Sequence, residues 1–246
     1  MRLNQASQTI LFGANSEIGN QILKATHVGL SYPRYFFGRT VPGSEFRDKD
    51  IFIKFDAIDL DSTEAILSNL LESTDIGCAI ISFASMDYSN QRQRRNSNTI
   101  NYNATVHLIE ILLGYFAARE KRTSNFGTII YISSSIVDLK PRQKNFRYSA
   151  SKVAAEYYFK GLRDQVKKSG SRTKMILVKP GFTKTKLHLG ERPGPFATTA
   201  ERLSLSIKRS MGLNIQTIYA PMLIKIPILA LSKLPSRMLN ILDRRD

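Results

Sequence analysis

Tyr148 and Lys152 stand four residues apart in the run Tyr148-Ser149-Ala150-Ser151-Lys152. On a helix this spacing puts both side chains on one face. The lysine ammonium can then stabilise a tyrosinate, drawing the phenol down from its ordinary pKa of about 10. A phenol tuned this way passes a proton to or from a carbinol oxygen at neutral pH. Upstream lie a serine-rich stretch, Ile132-Ser133-Ser134-Ser135, and a glycine turn, Gly13-Ala14-Asn15-Ser16-Glu17-Ile18-Gly19. A turn of that kind suits a dinucleotide, which would supply the hydride partner. The chemistry expected is hydride transfer on an alcohol or ketone.

Such a site needs elements to position it. Apolar, β-branched runs at 9–12, 34–37, 51–55, 78–83, 128–132 and 174–178 predict strands, with a last one at 215–219. Most are too continuously apolar for a strand with one wet face, so a parallel sheet covered on both sides is expected. Helical patterns fall between them at 17–28, 62–73, 99–119, 148–168 and 199–211. This alternation predicts an α/β, Rossmann-type doubly wound sheet with right-handed crossovers. No linker, repeat or low-complexity tract divides the 246 residues. One domain is expected, with a catalytic body over 1–220 and an apolar, basic extension over 221–246.

The glycine turn follows a predicted strand and opens a predicted helix. Gly13 permits the tight turn and Gly19 a close helix–sheet approach, while the amides of Asn15, Ser16, Glu17 and Ile18 face a pyrophosphate. Glu17 occupies a position where a second glycine is common. Gly38-Arg39 ends the second strand, where such sheets reach the adenosine ribose. An acidic residue there favours NAD(H); a guanidinium suits the 2′-phosphate, so NADP(H) is expected to be preferred. Asp56, after the third strand, would border the adenine, and Ala84 and Ser85, after the fourth, would line the cofactor cleft.

Composition sets the remaining bounds. Hydrophobic residues make up 42% of the chain, enough for a sizeable core. The single cysteine, Cys78, lies in an apolar run and is expected to be buried and inert. His27, His107 and His188 are scattered without metal spacing, so no metal site is expected. The N-terminus lacks the pattern of a signal peptide, which places the protein in the cytoplasm. A net charge of +16 implies attraction to something anionic, with basic clusters at 92–95, 119–122 and 140–144. The tail over 221–242 is apolar, broken by Pro221, Pro227 and Pro235 and dotted with Lys225, Lys233 and Arg237. It reads equally as a terminal helix packed on the core or a twin subunit, or as an interfacial segment meeting a bilayer at the inner face of the membrane.

These motifs, in this order, resemble the short-chain dehydrogenase/reductase family over the whole chain. The resemblance implies that Tyr148 is the acid/base and that Lys152 also holds the nicotinamide ribose. It implies a serine that orients the substrate carbonyl. The usual spacing of thirteen residues before the tyrosine gives Ser135, and Ser134 follows if the strand registers one residue earlier. It implies an asparagine supporting a water relay, for which Asn101 fits better than Asn103. Ala57, Pro180, Gly181 and Thr183 join the cofactor-binding set by the same resemblance. A narrower likeness rests on Asn145-Phe146-Arg147-Tyr148, the run from Lys179 to Lys186, and Ile218-Tyr219-Ala220-Pro221. These segments look like the decaprenylphosphoryl-2-keto-ribose reductase branch. That branch reduces the 2-keto group of a polyprenyl-phosphate-linked pentose used in cell-envelope glycans.

Three functional readings follow. The first is an NADP(H)-dependent ketoreductase of a lipid-linked sugar. The second is a soluble reductase of another carbonyl or alcohol. The third is a non-catalytic dinucleotide or nucleic-acid binder, which the charge permits. The filled serine, tyrosine and lysine set argues against a degenerate enzyme, and no aromatic-rich basic motif supports specific nucleic-acid recognition. A homo-oligomer pairing the helices at 99–119 and 148–168 is expected by analogy with the family.

Overall fold

The computed structural model describes residues 7–26, 32–43, 46–141, 145–186, 197–213, 215–235 and 237–238. His27, His188, residues 142–144 of the basic cluster, and 236 and 239–242 of the tail lie outside the described residues.

Seven parallel strands form the main sheet in the order β3-β2-β1-β4-β5-β6-β9. They are β1 (Gln8–Phe12), β2 (Arg34–Gly38), β3 (Ile51–Lys54), β4 (Ile76–Ile81), β5 (Thr128–Ile132), β6 (Lys174–Pro180) and β9 (Thr217–Ala220). Every residue of β2, β4 and β5 is buried, so these runs are mostly apolar and do not alternate; the charged exception, Arg34 at the start of β2, is paired with Asp50. The order reverses between β1 and β4, and a doubly wound sheet opens a crevice beyond its strand ends at that point. Two short strands, β7 (Thr183–Lys184) and β8 (Thr198–Thr199), pair separately.

Helices cover both faces. Leu108, Leu112 and Phe116 of α4 (Thr105–Thr123) and Ala155 and Phe159 of α5 (Phe146–Lys168) pack with Ile10, Phe12, Ile81 and Tyr131. On the other face Ile22 and Leu23 of α1 (Glu17–Thr26) and Leu203, Ile207 and Met211 of α6 (Ala200–Gly212) pack with Leu11, Ile80, Ile130 and Val178. Asp59 and Thr199 accept the first-turn amides of Ser62 and Arg202, capping α2 (Leu60–Ser73) and α6.

The helix expected at 99–119 begins earlier and is not one helix. It consists of α3 (Gln91–Asn98), a π turn (Thr99–Ala104) and α4. The sequence of α3, Gln-Arg-Gln-Arg-Arg-Asn-Ser-Asn, carries no apolar stripe to reveal it. Its start is fixed by Asn90, whose Oδ1 accepts the Gln93 amide at 2.9 Å. The tail forms a short turn, Met222–Ile224, and α7 (Lys225–Ser232). Ile224 and Ile228 are buried, while Met222, Leu223, Ile226 and Leu229 are exposed. Among the described residues no helix is long and apolar enough to cross a membrane. No group of three metal-binding side chains occurs among them either.

Candidate active site

A cleft opens beyond the ends of β1, β4, β5 and β6, lined by Ser16 and Ile18 on one side and Tyr148 and Lys152 on another. The glycine turn forms its first wall. Gly13 has φ +96°, and a Cβ there would lie 2.3 Å from the Ser82 carbonyl oxygen, so glycine is required on two counts. The amides of Gly13 and Ala14 both donate to the Phe37 carbonyl at 2.9 Å, fastening the turn to β2. Asn15 Nδ2 donates to the carbonyl and hydroxyl of Thr40, both at 2.9 Å, next to the exposed Arg39. The Ser16 and Ser82 hydroxyls meet at 2.7 Å, and Gly19 sits so close to Leu11 and Ser82 that a Cβ would clash with both. The first-turn amides of a helix have no carbonyl partner within it. Here that turn faces the cleft through Ser16 and Ile18, and its chemistry fits a dinucleotide pyrophosphate, although the Ser16 amide, expected to face it, donates to the Gly13 carbonyl at 2.8 Å. Half-buried Glu17 turns its carboxylate to the Lys186 amide at 3.2 Å.

The opposite wall comes from β5 and α5. Tyr148 and Lys152 share one face of α5 and both are buried. Lys152 Nζ donates to the Ile132 carbonyl at 2.9 Å and lies 4.6 Å from the centre of the Tyr131 ring. Burial draws Lys152 down to about 7, opposed by the charge of Glu156. Tyr148 does not follow the expected depression. Burial pushes its phenol above its ordinary value, the Tyr88 phenol adds to this, and a hydrogen bond from Ser134 opposes it. The desolvation of a buried phenolate outweighs any help from a lysine whose ammonium is turned to a backbone carbonyl.

The serines separate clearly. Ser133 and Ser134 line the cleft together with Tyr148; Ser134 Oγ accepts the Ile136 amide at 3.3 Å, and its hydroxyl acts to lower the Tyr148 pKa. Ser135 is buried at the start of a 3₁₀ turn, Ser135–Asp138, and does not line the cleft. The structure thus brings to Tyr148 the serine that an earlier strand register implies.

Asn101 sits in the π turn, fully buried, with its amide committed to protein groups. Oδ1 accepts the Ser85 amide at 2.8 Å, and Nδ2 donates to the Ser85 carbonyl, the Tyr88 hydroxyl and the Ser151 hydroxyl at 2.8, 3.2 and 3.1 Å. It knits the segment after β4 to α5 and does not line the cleft; Asn103 is exposed. Ala84 lines the cleft, but Ser85 turns its hydroxyl to Ser97 at 2.7 Å. Pro180, Gly181 and Thr183 line the cleft's far edge. Asp56 and buried Ala57 follow β3 and do not line this cleft; the Asp56 carboxylate accepts the Ile58 amide at 3.1 Å. Cys78 is buried and its thiol is pushed up to about 12 by desolvation, consistent with an inert core residue. Ser82, Phe83, Ile132, Ser133, Tyr88 and Thr185 belong to the site or its edge and were not among the expected residues. Ser82 could have been found from the strand end that holds it; Tyr88 carries no local signal.

The model of the short chain dehydrogenase family matches residues 42–194, more than half of the chain, and the protein belongs to that family. An uncharacterised oxidoreductase of Mycobacterium tuberculosis H37Rv is 22% identical over 242 residues, covering 94% of each chain. Among solved structures, a short chain dehydrogenase from Burkholderia cenocepacia in complex with NADP is similar at 17% identity. It superposes with a TM-score of 0.72 over 89% of this chain and 90% of its own. A short chain dehydrogenase/reductase from Burkholderia phymatum in complex with NAD is similar at 12% identity, TM-score 0.71, over 93% of both chains. These likenesses establish the fold; the family match makes the protein a short-chain oxidoreductase.

Proposed function

We propose that this oxidoreductase reduces a keto group with NAD(P)H, that NADPH is preferred, and that Tyr148 delivers the proton. The observation that carries the reading is the meeting of Ser134, Tyr148 and Lys152 in one cleft opposite the glycine turn. When bound, the nicotinamide supplies a hydride to the carbonyl carbon. The Ser134 hydroxyl orients the carbonyl oxygen, and Tyr148 donates its phenolic proton to that oxygen as the alcohol forms. Tyr148 carries its proton at neutral pH, as a donor must, but burial, which raises its pKa, also weakens it as an acid, so proton delivery needs positive charge beside the forming phenolate. In its protonated form, which burial disfavours, Lys152, buried one turn further along α5, would offer positive charge to the phenolate. The helix start beside Ser16 and Ile18 would hold the pyrophosphate, and Arg39, exposed at the end of β2, would read the 2′-phosphate. Asn101 supports the segment around Ser85 and Tyr88 and leaves proton relay to other groups.

For the substrate we propose a keto sugar on a polyprenyl phosphate, reduced in the cytoplasm at the inner face of the membrane for cell-envelope glycan synthesis. The arrangement of the Met222–Ile224 turn and α7 supports this. Ile224 of the turn packs at the cleft edge, where a Cβ on Gly181 would come within 2.1 Å of its Cδ1. Leu223 of the turn and Ile226 of α7 are exposed at 74% and 70%, beside the exposed Lys225 and Lys233. Apolar side chains flanked by cations suit an interface of acyl chains and phosphates. Residues 221–246 thus act as an extension of the catalytic body over 1–220. A twin subunit is proposed on the outer face of α5, where Val153 and Tyr157 are exposed.

Purified protein should oxidise NADPH with a polyprenyl-phosphate-linked 2-keto-pentose in detergent, with higher kcat/KM than with the same sugar phosphate lacking the lipid. Equal efficiency on both would remove the lipid carrier from the proposal. No turnover of any ketone would remove the reductase reading itself.

A further inference from the structure

One turn beyond Lys152 on α5 lies a second buried charge, Glu156, that proton delivery does not use. Its Oε2 accepts the Ser133 hydroxyl at 2.9 Å, and its Oε1 accepts from Lys160 and Lys179 at 2.6 and 2.9 Å. Lys179, on β6 and 1% exposed, also pairs with Asp138 of the 3₁₀ turn, and Asp138 accepts the Tyr219 hydroxyl of β9 at 2.9 Å. A carboxylate buried this deeply is held charged by its cations; burial alone would raise its pKa, and the bonds from Lys160 and Lys179 more than reverse that.

The spacing links this cluster to the cleft. Tyr148, Lys152 and Glu156 recur every four residues along one face of α5. Their partners on β5 and just beyond it are three consecutive residues: Ser134 for Tyr148, Ile132 for Lys152 and Ser133 for Glu156. We infer that Glu156 is a positioning residue. Its carboxylate, anchored by Lys179, holds Ser133 and so sets Ser134 and the Ile132 carbonyl in register with Tyr148 and Lys152. The inference rests on the proton-transfer reading of Tyr148. The Glu156 charge also acts on Lys152, opposing the effect of burial. The groups that face Glu156 are Lys160 on its own helix, Lys179 on β6, Ser133 and Tyr131 from β5 and its end, and Tyr219 on β9.

Glu156→Gln keeps an acceptor for Ser133 but removes the charge; Ser133→Ala removes the bond but keeps the charge. Both would be compared with wild type and Tyr148→Phe by kcat against pH for NADPH-dependent ketone reduction. NADPH affinity and an NMR titration of labelled Lys152, which needs no turnover, would be measured alongside. Ser133→Ala should lower kcat about tenfold or more, as misplacement on the order of 1 Å does, with NADPH affinity and the Lys152 midpoint unchanged. Glu156→Gln should also move the Lys152 midpoint down by about one pH unit, since an anion favouring the ammonium is lost. Wild-type kcat in both variants with an unmoved midpoint would overturn the inference, as would a loss of melting temperature alone. If Glu156→Gln does not fold, Ser133→Ala decides: unchanged kcat in it overturns the positioning role. Should Tyr148→Phe retain turnover, the proton-transfer reading fails; should it be dead beside two wild-type-like variants, Glu156 alone is excluded.

Discussion

At the β1–α1 end of the cleft the structural contacts are nearly all neutral. Ser16 meets Ser82, Asn15 meets Thr40, and Asn20 Nδ2 donates to the Ala14 and Ser16 carbonyls at 2.7 and 2.9 Å. At the β5–α5–β6 end they are charged: Lys152, Glu156 and Lys179 are all buried within one wall. The contrast follows from what each end must hold. Under the proposed function an anionic pyrophosphate would be received by backbone amides and a helix dipole, which need no fixed counter-charge and tolerate no bulk. A proton donor needs its pKa set: here burial acts most on Tyr148, while the Glu156 charge acts on its neighbour Lys152. The first end is therefore governed by shape and the second by electrostatics, and substitutions should divide accordingly.

The largest effect should come from the charged wall. Tyr148→Phe removes the phenolic hydroxyl and little else, so kcat should fall by about 10² to 10⁴ while NADPH affinity stays near wild type. Near wild-type kcat, measured by NADPH oxidation, would sink the mechanism. Next, Gly13→Ala tests the neutral wall. The positive φ and the 2.3 Å approach to Ser82 predict a loss of about 1–3 kcal/mol in stability, with weakened cofactor binding. Denaturant titration and NADPH affinity read it; an unaffected variant would show that the turn rearranges freely.

A finer comparison lies within the serines. Ser134→Ala should cost roughly tenfold or more in kcat, because a hydroxyl bonded to Tyr148 is lost, whereas Ser135→Ala should leave kcat nearly unchanged. The reverse order would restore the thirteen-residue spacing as the true register. Arg39→Ala should narrow the NADPH-over-NADH preference by about ten- to a hundredfold in kcat/KM, the worth of one charge-assisted contact. An unchanged ratio would show that Arg39 does not read the phosphate.

The smallest effect is expected outside the cleft. Ile226→Asp with Leu229→Asp alters exposed positions of α7, so melting temperature should hold while binding to anionic liposomes weakens, more so at high salt. Ile224 is unsuitable for this test because it is buried against the cleft edge. A wild type that ignores liposomes would remove the interfacial role of this helix.

Much of this protein is local in its sequence. Strands buried on both faces are continuously apolar, so the sheet and the helices between its strands could be read from runs such as Thr128–Ile132. The glycine turn and the four-residue step from Tyr148 to Lys152 are likewise local, because a turn and one helical face are fixed by neighbouring residues. The tertiary structure decided what depends on approach between distant segments. It placed Ser134 in the cleft lining with Tyr148 and Ser135 outside that lining, in the 3₁₀ turn that follows β5. It committed Asn101 to Ser85, Tyr88 and Ser151 from a π turn that follows a helix with no apolar stripe. Burial reversed the expected direction of the Tyr148 pKa, and β6 carried Lys179 to Glu156 from 23 residues along the chain. Spacing specifies which groups share a face; desolvation and cross-strand register, which determine their charge and partners, exist only once the chain has packed.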